Sequence, residues 1–140
     1  MTLVRDLMHR GVITCHLQTS VKEIAQIMDA NWIRSVVVTD DQGEVWGIVS
    51  LISILKAWDK DLEKLTAEDI LQPFTITISP EAPIEDAVKL LQQKRIEHLV
   101  IVSPVESGRR AVGILTTFDI VQHMAGLPAG TLRSGMELGR

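Results

Sequence analysis

Cysteine is nearly absent. Cys15 is the single one in 140 residues, which excludes an internal disulfide. The four histidines, His9, His16, His98 and His123, are scattered and form no Cys/His cluster of zinc-ligand spacing. Long apolar runs are missing too. The longest apolar-rich stretch, residues 48–55, contains Ser50 and Ser53 and is far shorter than the ~18 residues a membrane helix needs. There is no Gly-rich phosphate loop of the P-loop type and no nucleophile with an evident paired base, so the expectation is a protein that is not an enzyme. Positive charge is not in excess. The net charge of -4 argues against a general nucleic-acid surface. Met1 leads directly into Val4-Arg5-Asp6 without a signal-peptide pattern, which sets a cytoplasmic protein as the expectation.

What is present is the composition of a folded globular protein: 46% apolar and 23% charged residues. A chain of this length fits one domain or two small halves sharing a core. Val4 to Met8 reads as a short amphipathic turn that Gly11 breaks, and Val12-Ile13-Thr14-Cys15 is β-prone. Ser20 with Glu23 fits a capping box ahead of Val21, Ile24, Ala25, Ile27 and Met28 at helical spacing, and Asn31 ends that helix. Ser35-Val36-Val37-Val38 reads as a strand buried on both faces. Asp40-Asp41-Gln42-Gly43 is a turn into Val45-Trp46-Gly47-Ile48-Val49. Ser50 then opens a helix carrying Leu51, Ile52, Ile54, Leu55 and Trp58, and the charged residues 59–64 read as a linker.

The same order then recurs. Asp6-Leu7-Met8 returns 63 residues later as Asp69-Ile70-Leu71, and Ile13-Thr14 as Ile76-Thr77. At that offset the helix face of Val21, Ile24, Ala25, Ile27 and Met28 becomes Ile84, Ala87, Val88, Leu90 and Leu91. Past the hairpin the offset becomes 66, so that Gly47-Ile48-Val49-Ser50 matches Gly113-Ile114-Leu115-Thr116 and the second hairpin is three residues longer. The expectation is an α/β (α+β) protein of two β-α-β-β-α repeats. Its small mixed sheets pack together around a pseudo-two-fold, with helices outside. The bounds are residues 1–62 for the first repeat, 63–126 for the second and 127–140 for a mobile tail.

The stretch with chemistry in it is Gly113-Ile114-Leu115-Thr116-Thr117-Phe118-Asp119. A buried strand turning into a helix at Thr116 gathers a hydroxyl, a carboxylate and the free N–H groups of a helix start. That set suits phosphate and a sugar diol. The alternative is purely structural: Thr116 caps the helix and Asp119 reaches back to the Thr116 N–H.

This order of elements, with Asp6-Leu7-Met8 before the first strand and the Gly113–Asp119 motif at the end, resembles a tandem pair of CBS domains, a stand-alone Bateman module. The resemblance covers roughly residues 3–125. It implies a module that binds adenosine-containing ligands in clefts between the repeats, acting as a sensor. Carried over, Asp119 holds the ribose hydroxyls and Thr116 sits by phosphate. Ile114 lines the adenine slot with Val12 and Ile13, and Arg34 and His98 are the candidates to reach phosphate. The first repeat departs from the pattern, since Ser53 stands where the second has Asp119. The cleft of Ser50, Ser53, Thr75 and Ile76 is therefore the weaker one.

The resemblance further implies no required cofactor, with AMP, ADP, ATP or S-adenosylmethionine as candidate ligands. It implies a homodimer formed through helix faces, and a regulated partner protein reached in trans. The structural alternatives are a surface Arg34, a His98 with a local hydrogen bond, and Trp32, Trp46 and Trp58 in the core or an interface. The competing function is a structural or dimerisation module with no physiological nucleotide.

Overall fold

The computed structural model describes residues 1–73, 76–103 and 110–128. Thr75, Arg109, most of the longer second hairpin loop and most of the expected tail lie outside the described residues. The elements run α1 (Val4–Leu7), β1 (His9–Arg10), β2 (Thr14–His16), α2 (Val21–Asn31), β3 (Ser35–Thr39), β4 (Val45–Ser50) and α3 (Leu51–Leu55). They repeat as α4 (Ala67–Ile70), β5 (Gln72–Pro73), β6 (Thr77–Ile78), α5 (Ile84–Lys94), β7 (His98–Val102), β8 (Ala111–Thr116) and α6 (Thr117–Met124). Every start in the second series lies 63 residues after its counterpart up to β7, and 66 residues after it from β8 on.

Each repeat contributes to one four-stranded mixed sheet. The orders are β2-β3-β4-β5 and β6-β7-β8-β1, which are the same topology. The central strands β3 and β7 are each paired in parallel on one side and antiparallel on the other. Val36, Val37 and Val38 are fully buried, as are Leu99, Val100 and Ile101. A strand flanked on both edges and covered on both faces has no use for polar alternation, hence the continuous apolar runs. Both hairpins carry an irregularity at the same place, between Val38 and Thr39 and between Ile101 and Val102.

The chain groups into two compact units, and they cut across the repeats. Met1–Gly11 joins the unit built from residues 76 onward, and residues 12–75 form the other. The segment preceding each repeat thus completes the sheet of the other. Paired backbone bonds fix it: Val4 N–H donates to Ala82 O at 2.9 Å and Ile84 N–H to Thr2 O at 3.0 Å. In the other unit Ala67 N–H donates to Thr19 O at 2.9 Å and Val21 N–H to Leu65 O at 2.8 Å. These pairs are equivalent under the 63-residue offset.

Each unit has its own core. In one, Cys15, Val21, Ile24, Met28, Val36, Val38 and Val49 pack with Ala57, Ala67 and Ile70. In the other, Val4, Leu7, Met8, Ile84, Ala87 and Leu91 pack with Leu99, Ile101 and Leu115. The amphipathic helices bury the same faces, Val21, Ile24 and Met28 on α2 and Ile84, Ala87 and Leu91 on α5. Ser20 caps α2 as expected, accepting from Glu23 N–H at 3.1 Å, although the reciprocal half of the box is not formed. Both helices end on a left-handed residue, Trp32 at φ 55° and Arg95 at φ 52°.

The structure corrects two expectations. The helix opened by Ser50 stops at Leu55, and Trp58 lies beyond it. The residues leading to Gly11 include a strand, β1, with β5 as its counterpart, because each finds a long-range edge to pair with. Of the two places open to the tryptophans, core or interface, the core is excluded: Trp32, Trp46 and Trp58 are all exposed, Trp58 at 82%. Trp46 instead donates its indole N–H to Asp40 Oδ2 at 3.0 Å, and that bond is the main reason the Asp40 carboxyl is held below its ordinary range.

Candidate functional site

Asp119 is the buried carboxylate among the described residues of its unit, at 3% relative exposure. The strand-to-helix turn between β8 and α6 places it as the sequence suggests. Thr116 is the N-cap in extended conformation, and its hydroxyl accepts from Asp119 N–H at 3.2 Å. Asp119 Oδ2 accepts from Thr116 N–H at 2.8 Å and from the Thr116 hydroxyl at 3.0 Å. The capping box is therefore fully formed.

The other carboxylate oxygen has a partner that the sequence reading missed. His9 Nε2 lies 2.6 Å from Asp119 Oδ1. The tautomer with its proton on Nε2 makes this contact a hydrogen bond donated to the carboxylate. The His9 side chain is 30% exposed and the Asp119 side chain 1%. The register of β1 on β8 brings them together, with His9 opposite Ile114 and Arg10 opposite Gly113. Gly113 makes that pairing feasible. A Cβ there would sit 2.5 Å from His9 O and 3.0 Å from Met8 Sδ. No local signal marks the contact, since 110 residues separate its partners. The one available hint was Gly113 itself, a strand glycine of the kind that permits close backbone approach.

The same unit gathers other expected residues. His98 pairs with Thr116 across the β7–β8 ladder, and Ile114, two residues before Thr116, lies partly buried on β8. Val12, Ile13 and Arg34 belong to the other unit. There Val12 is partly buried, Ile13 is 37% exposed and accepts at its carbonyl from Val37 N–H at 3.2 Å, and Arg34 is exposed just before β3.

The equivalent turn in that unit is polar but carries no charge. Ser50 caps α3, and the buried Ser53 hydroxyl accepts from Ser50 N–H at 3.1 Å and lies 3.1 Å from Ser50 Oγ. Gln72 stands where the first site has His9, and Ser53 where it has Asp119. Thr75 lies outside the described residues, and Ile76 belongs with the Asp119 unit. The box is kept in both units, while the acid and its imidazole are replaced together.

A shallow cavity of about 430 Å³ lies in the Asp119 unit toward the other end of β8, lined by Arg5, Met8, Arg10, Pro80, Glu81, Ser103 and Val112. None of the expected ligand residues lines it. Arg5 is already paired there, its guanidinium donating to both Glu81 oxygens at 3.0 Å. Among the described residues no group of three or more His, Cys, Asp or Glu side chains is arranged to hold a metal, and no helix is long and apolar enough to cross a membrane.

The CBS domain family model matches residues 4–60 and again residues 67–126. The uncharacterized protein MJ1404 of Methanocaldococcus jannaschii is 30% identical over 146 residues, covering 94% of this chain and 34% of that protein. An L-aspartate semialdehyde sulfurtransferase from the same organism is 30% identical over 125 residues, covering 89% of this chain and 24% of that one. The chain thus spans about a third or less of the length of these two relatives. Among solved structures, the CBS domain pair of protein MJ0100, in complex with 5′-methylthioadenosine and S-adenosyl-L-methionine, superposes with a TM-score of 0.81 at 29% identity. That match covers 90% of this chain and 98% of the other. The chain belongs to the CBS-domain family, as two adjacent copies of the domain.

Proposed function

We propose that this chain is a regulatory module that binds an adenosine-containing ligand, with Asp119 as the ribose acceptor. One observation carries the reading: a nearly inaccessible carboxylate is held at a strand-to-helix turn by three donors, in a fold whose relative MJ0100 holds two adenosyl compounds. A capping box alone does not need a buried acid. Ser50 and Ser53 close the equivalent turn with hydroxyls. The acid at 119 is thus chemistry beyond what the turn requires, and a carboxylate that accepts from several donors at once suits a vicinal diol.

In this reading Ile114 supplies apolar surface for adenine, and Thr116 and His98 face the phosphate or its substitute. The turn of Ser50 and Ser53 is the weaker site. Adenosyl compounds without phosphate, such as S-adenosylmethionine and 5′-methylthioadenosine, stand beside AMP, ADP and ATP as candidates. The effect passes to a partner protein in trans, in the cytoplasm, without catalysis.

The test is a thermal-shift panel of these five compounds on the purified protein, followed by calorimetry. A ligand at a hundred times its Kd stabilises by about 2.7 kcal/mol and raises Tm accordingly. No shift with any of the five ends this reading.

A second property of the module is self-association. Leu51, Ile52 and Leu55 on α3, with Trp58 just beyond it, are 49%, 71%, 62% and 82% exposed. Contiguous exposed apolar surface of this kind marks an interface, and we assign it to a homodimer. Light scattering at micromolar concentration that gives only the monomer mass removes the dimer.

A further inference from the structure

Asp119 has almost no surface of its own. Its Oδ2 is spent on the capping box, where the Thr116 N–H and hydroxyl are fixed by the helix start. Its Oδ1 faces the His9 imidazole at 2.6 Å, and of the two side chains only His9 reaches solvent appreciably. His9 is thus a partner of this carboxylate that lies on a separate element and reaches solvent, where a ligand can compete with it. We propose that His9 is the affinity- and selectivity-determining residue of the site: its Nε2–H occupies the oxygen that a ribose diol must take, and ligands are captured by displacing it.

Three features support the exchange. First, His9 is not locked by its neighbours as Thr116 is. It sits on a two-residue strand, β1, and no second hydrogen bond holds the imidazole among the described residues. Second, the donor it offers is chemically what a diol offers, a polar hydrogen aimed at a carboxylate, so the displaced contact is replaced in kind. Third, the other unit carries an internal control. Where the acid is lost, at Ser53, the imidazole is lost with it, to Gln72. His9 is thus present only where there is a carboxylate for it to cover.

Displacement has two consequences. The site binds more weakly than the same carboxylate left uncovered, because the one bond from His9 must be broken before the two hydroxyls of a diol can be bound. It also discriminates for the diol, because a sugar lacking both hydroxyls has no donor to offer in exchange. This inference rests on Asp119 being the ribose acceptor.

The experiment is calorimetry on the full chain with 5′-methylthioadenosine, S-adenosylmethionine and AMP, comparing the parent with His9→Ala and His9→Gln. Gln stands at the equivalent position 72, so His9→Gln keeps a side chain this fold accommodates if His9→Ala does not fold. Expected is binding about tenfold tighter or more in His9→Ala, since a bond to a charged group no longer has to be broken. His9→Gln, whose neutral amide donor is the weaker competitor, falls between. The gain is confined to ligands with both hydroxyls: 2′,3′-dideoxy-AMP shows no tightening. A merely structural His9 would lower Tm without that diol dependence.

Unchanged or weaker binding of the three ribose ligands in the folded variants overturns the displacement while leaving Asp119 as a ribose site. Binding that appears only in the His9 variants supports it. Absence of binding in parent and variants alike ends both this inference and the functional reading beneath it.

Discussion

Gly113→Ala is the most direct probe of how the site is assembled. The backbone of Gly113 does not lie in the left-handed region, so the substitution tests space and not strain. The new Cβ would lie 2.5 Å from His9 O and 3.0 Å from Met8 Sδ. An ordinary contact needs 3.4 Å or more, so β1 must withdraw by about 0.9 Å. The obstruction is backbone, which cannot rotate aside as a side chain could. Overpacking of this type costs about 1–3 kcal/mol. Strained ladder bonds between β1 and β8 add about 1 kcal/mol. For a protein of this size, a total of about 2–4 kcal/mol lowers Tm by roughly 5–15 °C.

Gly47→Ala is the internal control. Its Cβ would meet the Gln72 carbonyl and approach Leu71 Cδ1 to 2.9 Å, so it should destabilise by a similar amount. The two variants differ in what else they disturb. Only Gly113→Ala carries His9 away from Asp119, so only it should change adenosyl-ligand affinity measured in the folded protein by calorimetry. A Gly113→Ala protein whose Tm lies within 2 °C of the parent's would refute the close approach of β1 to β8 as the reason for the glycine.

Asp119→Ala should weaken adenosyl-ligand binding by on the order of tenfold to a hundredfold, while Ser53→Ala leaves it unchanged; equal affinities in calorimetry return Asp119 to a capping role worth about 1 kcal/mol of stability. Arg95→Gly should stabilise by about 0.5–1 kcal/mol, because Arg95 caps α5 at φ 52°, where a side chain is disfavoured; a lowered unfolding midpoint contradicts this. Burial, reinforced by the negative charge of Glu23, pushes the Cys15 thiol from 9.0 up to about 11. The folded state therefore keeps a proton that the unfolded chain loses, and stability should decline as pH rises from 9 to 11, by up to roughly 3 kcal/mol; a Cys15→Ala protein with the same decline excludes the thiol as its source.

The helices α2 and α5 were readable because each buries one face at helical spacing, and a face of this kind is written in consecutive residues. The central strands β3 and β7 were readable because burial on both sides demands uninterrupted apolar residues. The repeat was readable from paired positions at a constant offset, and the Thr116–Asp119 box from a three-residue spacing. All of these are local, or are local patterns occurring twice. Strands β1 and β5 are different in kind. Two residues carry no periodicity, and His9–Arg10 is a strand only because β8 offers it an edge and Gly113 lets it approach. The tertiary structure alone decided that the segment before each repeat completes the sheet of the other. It also decided that Trp58 stands in solvent and that an imidazole 110 residues away covers the carboxylate of Asp119. The chain wrote the carboxylate into its sequence; which donor faces it depended on long-range backbone pairing, whose one mark in the sequence is Gly113 and which does not say which segment lies against it.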